Sequence, residues 1–284
     1  MKPPGPFRAK TNFRCSGVVI IDALAASDLQ TARRLFDDLT HLRDEDGASY
    51  VQYFKATTKA ELVSILAAIR SAALCGFKPI LHFEAHGSKG IGLHIGAGHE
   101  SISWQELGER LREINIASRN GVGIVMAACF GFEQLEAIDI LKPCPYNFLI
   151  GPPEEVQSGF IDDRMSLVYR ELFASRSLER AIALLNDKFV RFQAELFFCT
   201  VFVRYLRNNC TGSNAARRVE ALLSRAIGEG LAPDRQRRRE LRKTFKTLIR
   251  KPEADYYRMS RRFLHGKRTV QYEEVLAFAN RLDA

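Results

Sequence analysis

Two apolar runs, each ending in a reactive side chain and a glycine, constrain this chain more than anything else in it. One is Gly123-Ile124-Val125-Met126-Ala127-Ala128-Cys129-Phe130-Gly131; the other, upstream, is Ile80-Leu81-His82-Phe83-Glu84-Ala85-His86-Gly87. Short, uninterrupted apolar runs bounded by turn residues predict strands buried on both faces. In an open parallel sheet the C-terminal strand ends line the crevice where ligands bind. His86 and Cys129 are therefore expected at the mouth of one crevice, where an imidazole and a thiol make a base and a nucleophile.

The surrounding order supports a parallel sheet. Gly17–Leu24 reads as a strand, Ser27-Asp28 as the cap of a helix reaching about Leu39, Tyr50–Phe54 as a strand, and Thr58–Cys75 as a helix ended by Gly76. Strand–helix–strand–helix–strand is the pattern of right-handed crossovers. After His86 the chain changes character. Gly92–Ile95 and Glu100–Ile102, joined through Gly96-Ala97-Gly98, read as a hairpin. Those glycines match no phosphate-loop spacing. Ser103 to Glu106 reads as a capping box for a helix to about Ile116, and a helix is expected after Gly131. Tyr146–Gly151 is a fifth strand, followed by a long helix beyond Phe160 and another capped by Ser177.

The remainder reads as helical over Val190–Arg207, Asn214–Ile227, Arg235–Arg250 and Tyr272–Arg281. It also carries the charge. Residues 186–284 hold 22 Lys and Arg against 11 Asp and Glu, whereas residues 1–185 hold 20 against 22. The net charge of +9 thus belongs to the C-terminal part, which marks a second functional unit. We expect a first domain over residues 1–187 and a basic helical region over 188–284.

Six cysteines without CxxC spacing argue against a disulfide framework or a zinc site and fit a reducing, cytoplasmic setting. The N-terminal Met1–Pro6 has no apolar core of a signal peptide. The longest apolar run, Leu196–Val203, is too short to span a bilayer, so no membrane association is expected.

Taken alone, Cys129 reads as an inert core thiol and His86 as a structural imidazole. Together, at adjacent strand ends and each close to a glycine, they read as a dyad. Cys129 would be the nucleophile, and His86 would hold its proton and later pass it to the leaving amine. Where the strand ends, the Cys129 N–H is free to face an oxyanion, and Gly87, without a Cβ, lets its N–H approach the same point. His82, Glu84 and His86 alternate along one strand face, but same-face positions of an extended chain are too far spread to meet one metal. No metal or other cofactor is expected. His82 and Glu84 read instead as a mutually satisfied pair beneath a helix.

Glu84-Ala85-His86-Gly87 with Ala127-Ala128-Cys129-Phe130-Gly131 resembles the His-Gly and Ala-Cys-x-Gly pair of caspase-like (clan CD) cysteine peptidases, most closely the bacterial CHAT branch related to separase. Asp162-Asp163-Arg164-Met165, with Tyr169, Leu172, Ser177 and Ala181-Ile182, is similar to the helix pair that follows the fifth strand there. The resemblance covers about residues 15–187. It implies an α/β fold, a caspase-like three-layer α/β/α sandwich with a mostly parallel sheet, here extended by C-terminal helices. It implies a cysteine endopeptidase acting on protein or peptide substrates, with His86 as general acid/base and Cys129 as nucleophile. Gly87 and Cys129 would form the oxyanion hole. It further implies control by a regulatory protein and a role in bacterial antiviral defence or cell death.

Ala127 and Phe130 stand where caspases carry glutamine and usually arginine, which argues against cleavage after aspartate. Relatives that cleave after Arg or Lys use an acidic pocket, for which Asp22, Glu154 and Glu155 are the candidates. The basic segment 235–268 reads either as a solvated helix face over Leu241, Phe245 and Leu248 or as a surface for an anionic partner or nucleic acid. The rival expectation is a catalytically latent caspase-like binding module working through that segment.

Overall fold

The computed structural model describes residues 7, 15–43, 47, 49–97, 100–210 and 212–281. Met1–Pro6, Gly98 of the hairpin turn and Thr211 lie outside the described residues. The chain divides into two compact units, Thr11–Ala194 and Glu195–Ala284 with Met1–Lys10.

The first unit is α/β and built on a six-stranded sheet of order β2-β1-β3-β7-β8-β9. Strands β1 (Gly17–Asp22), β2 (Val51–Lys55), β3 (Pro79–Glu84), β7 (Gly123–Ala127) and β8 (Phe148–Gly151) are parallel. Strand β9 (Val190–Gln193) is antiparallel to β8. Helix α1 (Thr31–Leu39) follows β1 and α2 (Lys59–Leu74) follows β2, as the crossovers required. The alternation of the strands sorts the core into two faces. Val18, Ile20, Ile80, Val125, Ala127, Phe148 and Ile150 pack with α1, α4 (Ser158–Ser175) and α5 (Leu178–Ala183). The opposite set, Val19, Ile21, Leu81, Phe83, Ile124 and Met126, is equally buried on the side of α2 and α3 (Trp104–Ala117). A strand with both faces covered must read as a continuous apolar run, and β1 does.

Several local expectations are corrected. The run Ile80–Gly87 is not one strand: β3 stops at Glu84, the chain bends at Ala85, and His86–Ser88 forms β4. Strand β4 pairs with β5 (Gly92–Ile95), which pairs with β6 (Glu100–Ile102), in a separate antiparallel sheet. The segment after Gly131 is a 3-10 helix, Gly131–Ala137. Val190–Gln193, expected as the start of a helix, is the strand β9. Its β-branched and aromatic residues suit extended chain, and it covers the edge that β8 would otherwise leave bare. The unit accordingly closes at Ala194, beyond the boundary expected at 187. The complete capping box lies at Thr58 and Glu61; at Ser103 only the serine half forms, because Glu106 reaches Lys59 instead.

The second unit is helical: α6 (Ala194–Asn209), α7 (Gly212–Gly228), α8 (Arg235–Arg250), α9 (Glu253–Phe263) and α10 (Tyr272–Arg281). Its core is aromatic, with Phe198, Phe202, Tyr256 and Phe263 almost wholly buried. Glu195 accepts from the N–H groups of Thr269 and Val270 just ahead of α10. On α8 the buried position is Ile249; Leu248, assigned above to the apolar stripe, is 59% exposed.

Candidate active site

Glu84 and Ala127 are direct partners in the β3–β7 ladder. Parallel neighbours lie about 4.8 Å apart, so β3 and β7 end side by side at the same level, and His86 and Cys129 each follow two residues later. The fit is close between Gly87 and Cys129. A Cβ on Gly87 would lie 1.9 Å from the carbonyl oxygen of Cys129, so no larger residue fits there without moving backbone. Phe130 adopts φ +56°, a left-handed turn that costs an L-residue about 1–2 kcal/mol and swings the chain directly into the 3-10 helix. That helix seats against β7 because Gly131 has no Cβ; one would lie 2.5 Å from Met126 Cγ.

The His86 ring projects from β4 with 61% of its side chain exposed, and its Nε2 lies 2.9 Å from Asp28 Oδ2. The sequence predicts Ser27-Asp28 as a helix cap. Helix α1 starts three residues later, with Gln30 at its N-cap, and the Asp28 carboxylate instead accepts from Ala25 N–H at 2.8 Å and meets His86. Partial burial would raise the Asp28 pKa. The Ala25 N–H and the His86 ring outweigh it and hold the group below its ordinary value. Nδ1 of His86 forms no hydrogen bond among the described residues. The strand order 2-1-3 places the topological switch point between β1 and β3, and the Asp28–His86 contact spans it. The hairpin carrying His86 is tied down by Ser88 Oγ to His94 Nε2 at 2.7 Å and by Gly90 N–H donating to Glu133 of the 3-10 helix at 2.7 Å.

The Cys129 sulfur faces the segment after β8. Val156 N–H donates to Sγ at 3.4 Å, and Val156 O accepts from Sγ at 3.6 Å. Phe130 N–H donates to Glu154 O at 3.1 Å, and Phe132 N–H to Pro152 O at 3.0 Å. The Cys129 N–H itself has no acceptor among the described residues. All six cysteines are free. Burial pushes Cys144 and Cys199 up to about 12 and raises Cys15 and Cys210 as well, which leaves Cys75 as the exposed comparator.

The three acidic pocket candidates part company. Asp22 is wholly buried. Its carboxylate accepts from Lys55 Nζ at 3.0 Å, Tyr53 O–H at 2.6 Å and Leu24 N–H at 2.9 Å, and no face of it is open to a ligand. Glu154 and Glu155 are exposed, and the first is bound through its backbone to the residue after Cys129. His82 and Glu84 form the expected buried pair, with Nε2 3.0 Å from Oε1. Two further residues complete it: Tyr169 O–H lies 3.0 Å from His82 Nδ1, and Thr31 Oγ1 donates to Glu84 Oε2. Burial above all, with the Glu84 carboxylate nearby, keeps Tyr169 protonated. Glu84 is thereby committed to His82 and Thr31, and the carboxylate that contacts His86 is Asp28. Nothing in the sequence around Asp28 pointed to this contact, because the pairing exists only once β1 and β3 are side by side.

No protein-family model matches the chain, and no curated protein matches it. Among the described residues no helix is long and apolar enough to cross a membrane.

Proposed function

We propose that the first unit is a cysteine endopeptidase of the caspase-like kind, with Cys129 as nucleophile, His86 as general acid/base and Asp28 as the residue that orients His86. One observation carries the reading: His86-Gly87 and Cys129 follow adjacent parallel strands that end at the same level, with Gly87 against the Cys129 carbonyl. A reactive pair just beyond the C-terminal ends of neighbouring parallel strands, beside the switch point between β1 and β3, is where ligand chemistry is expected.

In this mechanism Nδ1 of His86 takes the thiol proton, and the Cys129 thiolate attacks the scissile carbonyl. The oxyanion is met by the unsatisfied Cys129 N–H and by the N–H of Gly87. Collapse breaks the C–N bond as His86 gives its proton to the amine, leaving a thioester. Water, deprotonated by His86, attacks the thioester. The peptide acid departs and the proton returns to sulfur. The Pro152–Val156 segment lies against Cys129 and forms one wall of the site, so a regulatory partner that moves it would control access. Glu154 and Glu155, exposed on that wall, favour substrates with Arg or Lys at the cut.

The test is digestion of a mixed peptide library by the whole chain, beside Cys129→Ala and His86→Ala. Cleavage at a defined residue type, lost in both variants, supports the proposal. Cleavage that survives Cys129→Ala overturns it.

A further inference from the structure

Helix α8 carries eight Lys or Arg among its 16 residues against a single acid, Glu240. Three of them, Arg235, Arg237 and Arg238, occupy the first turn, where the helix dipole disfavours cations and no acidic residue stands. Some of this charge is spent within the unit. Arg242 forks onto Glu220 of α7 at 2.9 and 2.8 Å, Arg237 reaches Glu240 at 3.2 Å, and Arg238 donates to Ala232 O at 3.1 Å.

Arg235, Arg239, Lys243, Lys246 and Arg250 are different. All five are exposed, and none forms an ion pair among the described residues. Their spacing is 4, 4, 3 and 4 residues, which on an α-helix puts them within an arc of about 80° and along about 22 Å of axis. Like charges at such spacings destabilise a helix on their own. No apolar or aromatic residue lies in the arc; Leu248 projects from another side, and Leu241, Phe245 and Ile249 turn toward the unit's interior.

We propose that this row is a docking surface for the phosphodiester backbone of a double-stranded nucleic acid, bound without regard to sequence. A duplex offers about one negative charge per 1.7 Å of axis, so a straight 22 Å row of cations meets a dense, rigid counterpart. Single strands are held by aromatic stacking platforms, and the row has none. Protein interfaces are built around apolar and aromatic anchors, and these are absent too. Arg and Lys contacting phosphate position a duplex without reading bases.

The experiment is fluorescence anisotropy of the whole chain with a labelled mixed-sequence DNA duplex and an RNA duplex of equal length, titrated across KCl concentrations. Single-stranded oligo-dT and poly-L-glutamate serve as competitors. Five phosphate contacts predict a slope of log K against log salt of about −4.5. The triple variant Arg239→Ala, Lys243→Ala, Lys246→Ala keeps exposed helix positions in a good helix former. It should flatten the slope by about 2.7 and weaken binding at least about tenfold at moderate salt. Arg237→Ala removes a charge off the row and should change the slope by less than the triple variant's share per residue. Binding of either duplex with this pattern supports the proposal. It is overturned if Arg237→Ala costs as much per charge as the triple variant, since net charge then suffices. Competition by oligo-dT or poly-L-glutamate as effective as unlabelled duplex also overturns it, as does the absence of binding at low salt. Peptidase activity plays no part in these readouts.

Discussion

Asp28 Oδ2 lies 2.9 Å from Nε2 of His86, across the point where the sheet's strand order reverses. In the proposed mechanism this carboxylate orients the ring and leaves Nδ1 for the thiol. Asp28→Asn should lower kcat/KM by about 10- to 100-fold, part of the ~10²–10⁴ that general acid–base catalysis supplies, with KM little changed and partial recovery in Asp28→Glu. The Asp28 pKa is held below its ordinary 3.8. A depressed carboxylate stabilises the fold above its unfolded value and loses that contribution as pH falls through the folded one. Wild type and Asp28→Asn should therefore converge in stability only below about pH 4, measured by urea unfolding across pH. An unchanged pH–rate profile in Asp28→Asn would remove the orienting role.

Gly87 is the tightest point of the site. Gly87→Ala puts a methyl group 1.9 Å from the Cys129 carbonyl oxygen, so one strand end must move. Overpacking of this kind costs about 1–3 kcal/mol. Urea midpoints should show that loss, and peptide cleavage should fall further than the stability change explains. Gly159→Ala, with open space around its Cβ position, is the matched control.

Beneath the site, Tyr169, His82, Glu84 and Thr31 form a closed buried chain of hydrogen bonds. Tyr169→Phe keeps the ring and deletes the hydroxyl bonded to His82 Nδ1, leaving a buried nitrogen unsatisfied at a cost of about 1–3 kcal/mol. Denaturant unfolding at pH 7 measures it. Because none of these side chains reaches Cys129, the folded fraction should retain cleavage. Loss of activity without loss of stability would mean that the network does more than support β3.

The acidic pocket candidates separate in the same way. Asp22→Asn breaks a buried contact to Lys55 and Tyr53 and should cost about 1–3 kcal/mol while leaving cleavage preference unchanged. Glu154→Gln and Glu155→Gln, at exposed positions, should leave the unfolding midpoint in place and lower kcat/KM for peptides with Arg or Lys at the cut. A library digest of each variant decides it.

Legibility in the sequence followed the range of the interactions. The apolar runs ending at Glu84 and Ala127 were readable because burial on both faces writes itself into consecutive residues, and their parallel pairing followed from the helices between them. What failed was set by contacts between distant segments. Ala85 looks like the middle of a strand, yet the chain bends there because His86 pairs with His94 rather than continuing the main sheet. Val190–Gln193 sits before a helix and was absorbed into it, although its place is the open edge of β8. Asp28 has the local marks of a helix cap, and only the closing of β1 on β3 gives it to His86. The Val156 backbone at the Cys129 sulfur left no trace in residue types, since any residue but proline carries the same groups.

The central claim is that Cys129 is a thiol activated by His86, and alkylation kinetics test it most directly. Wild type and His86→Ala would be treated with iodoacetamide at neutral pH, with peptide mapping of each cysteine over time. Burial holds Cys15, Cys144, Cys199 and Cys210 toward the unreactive thiol, so exposed Cys75 is the internal standard. We predict that Cys129 is alkylated faster than Cys75, and that its rate, but not that of Cys75, falls at least about tenfold in His86→Ala. Equal rates at the two cysteines, or a Cys129 rate indifferent to His86, would contradict the dyad.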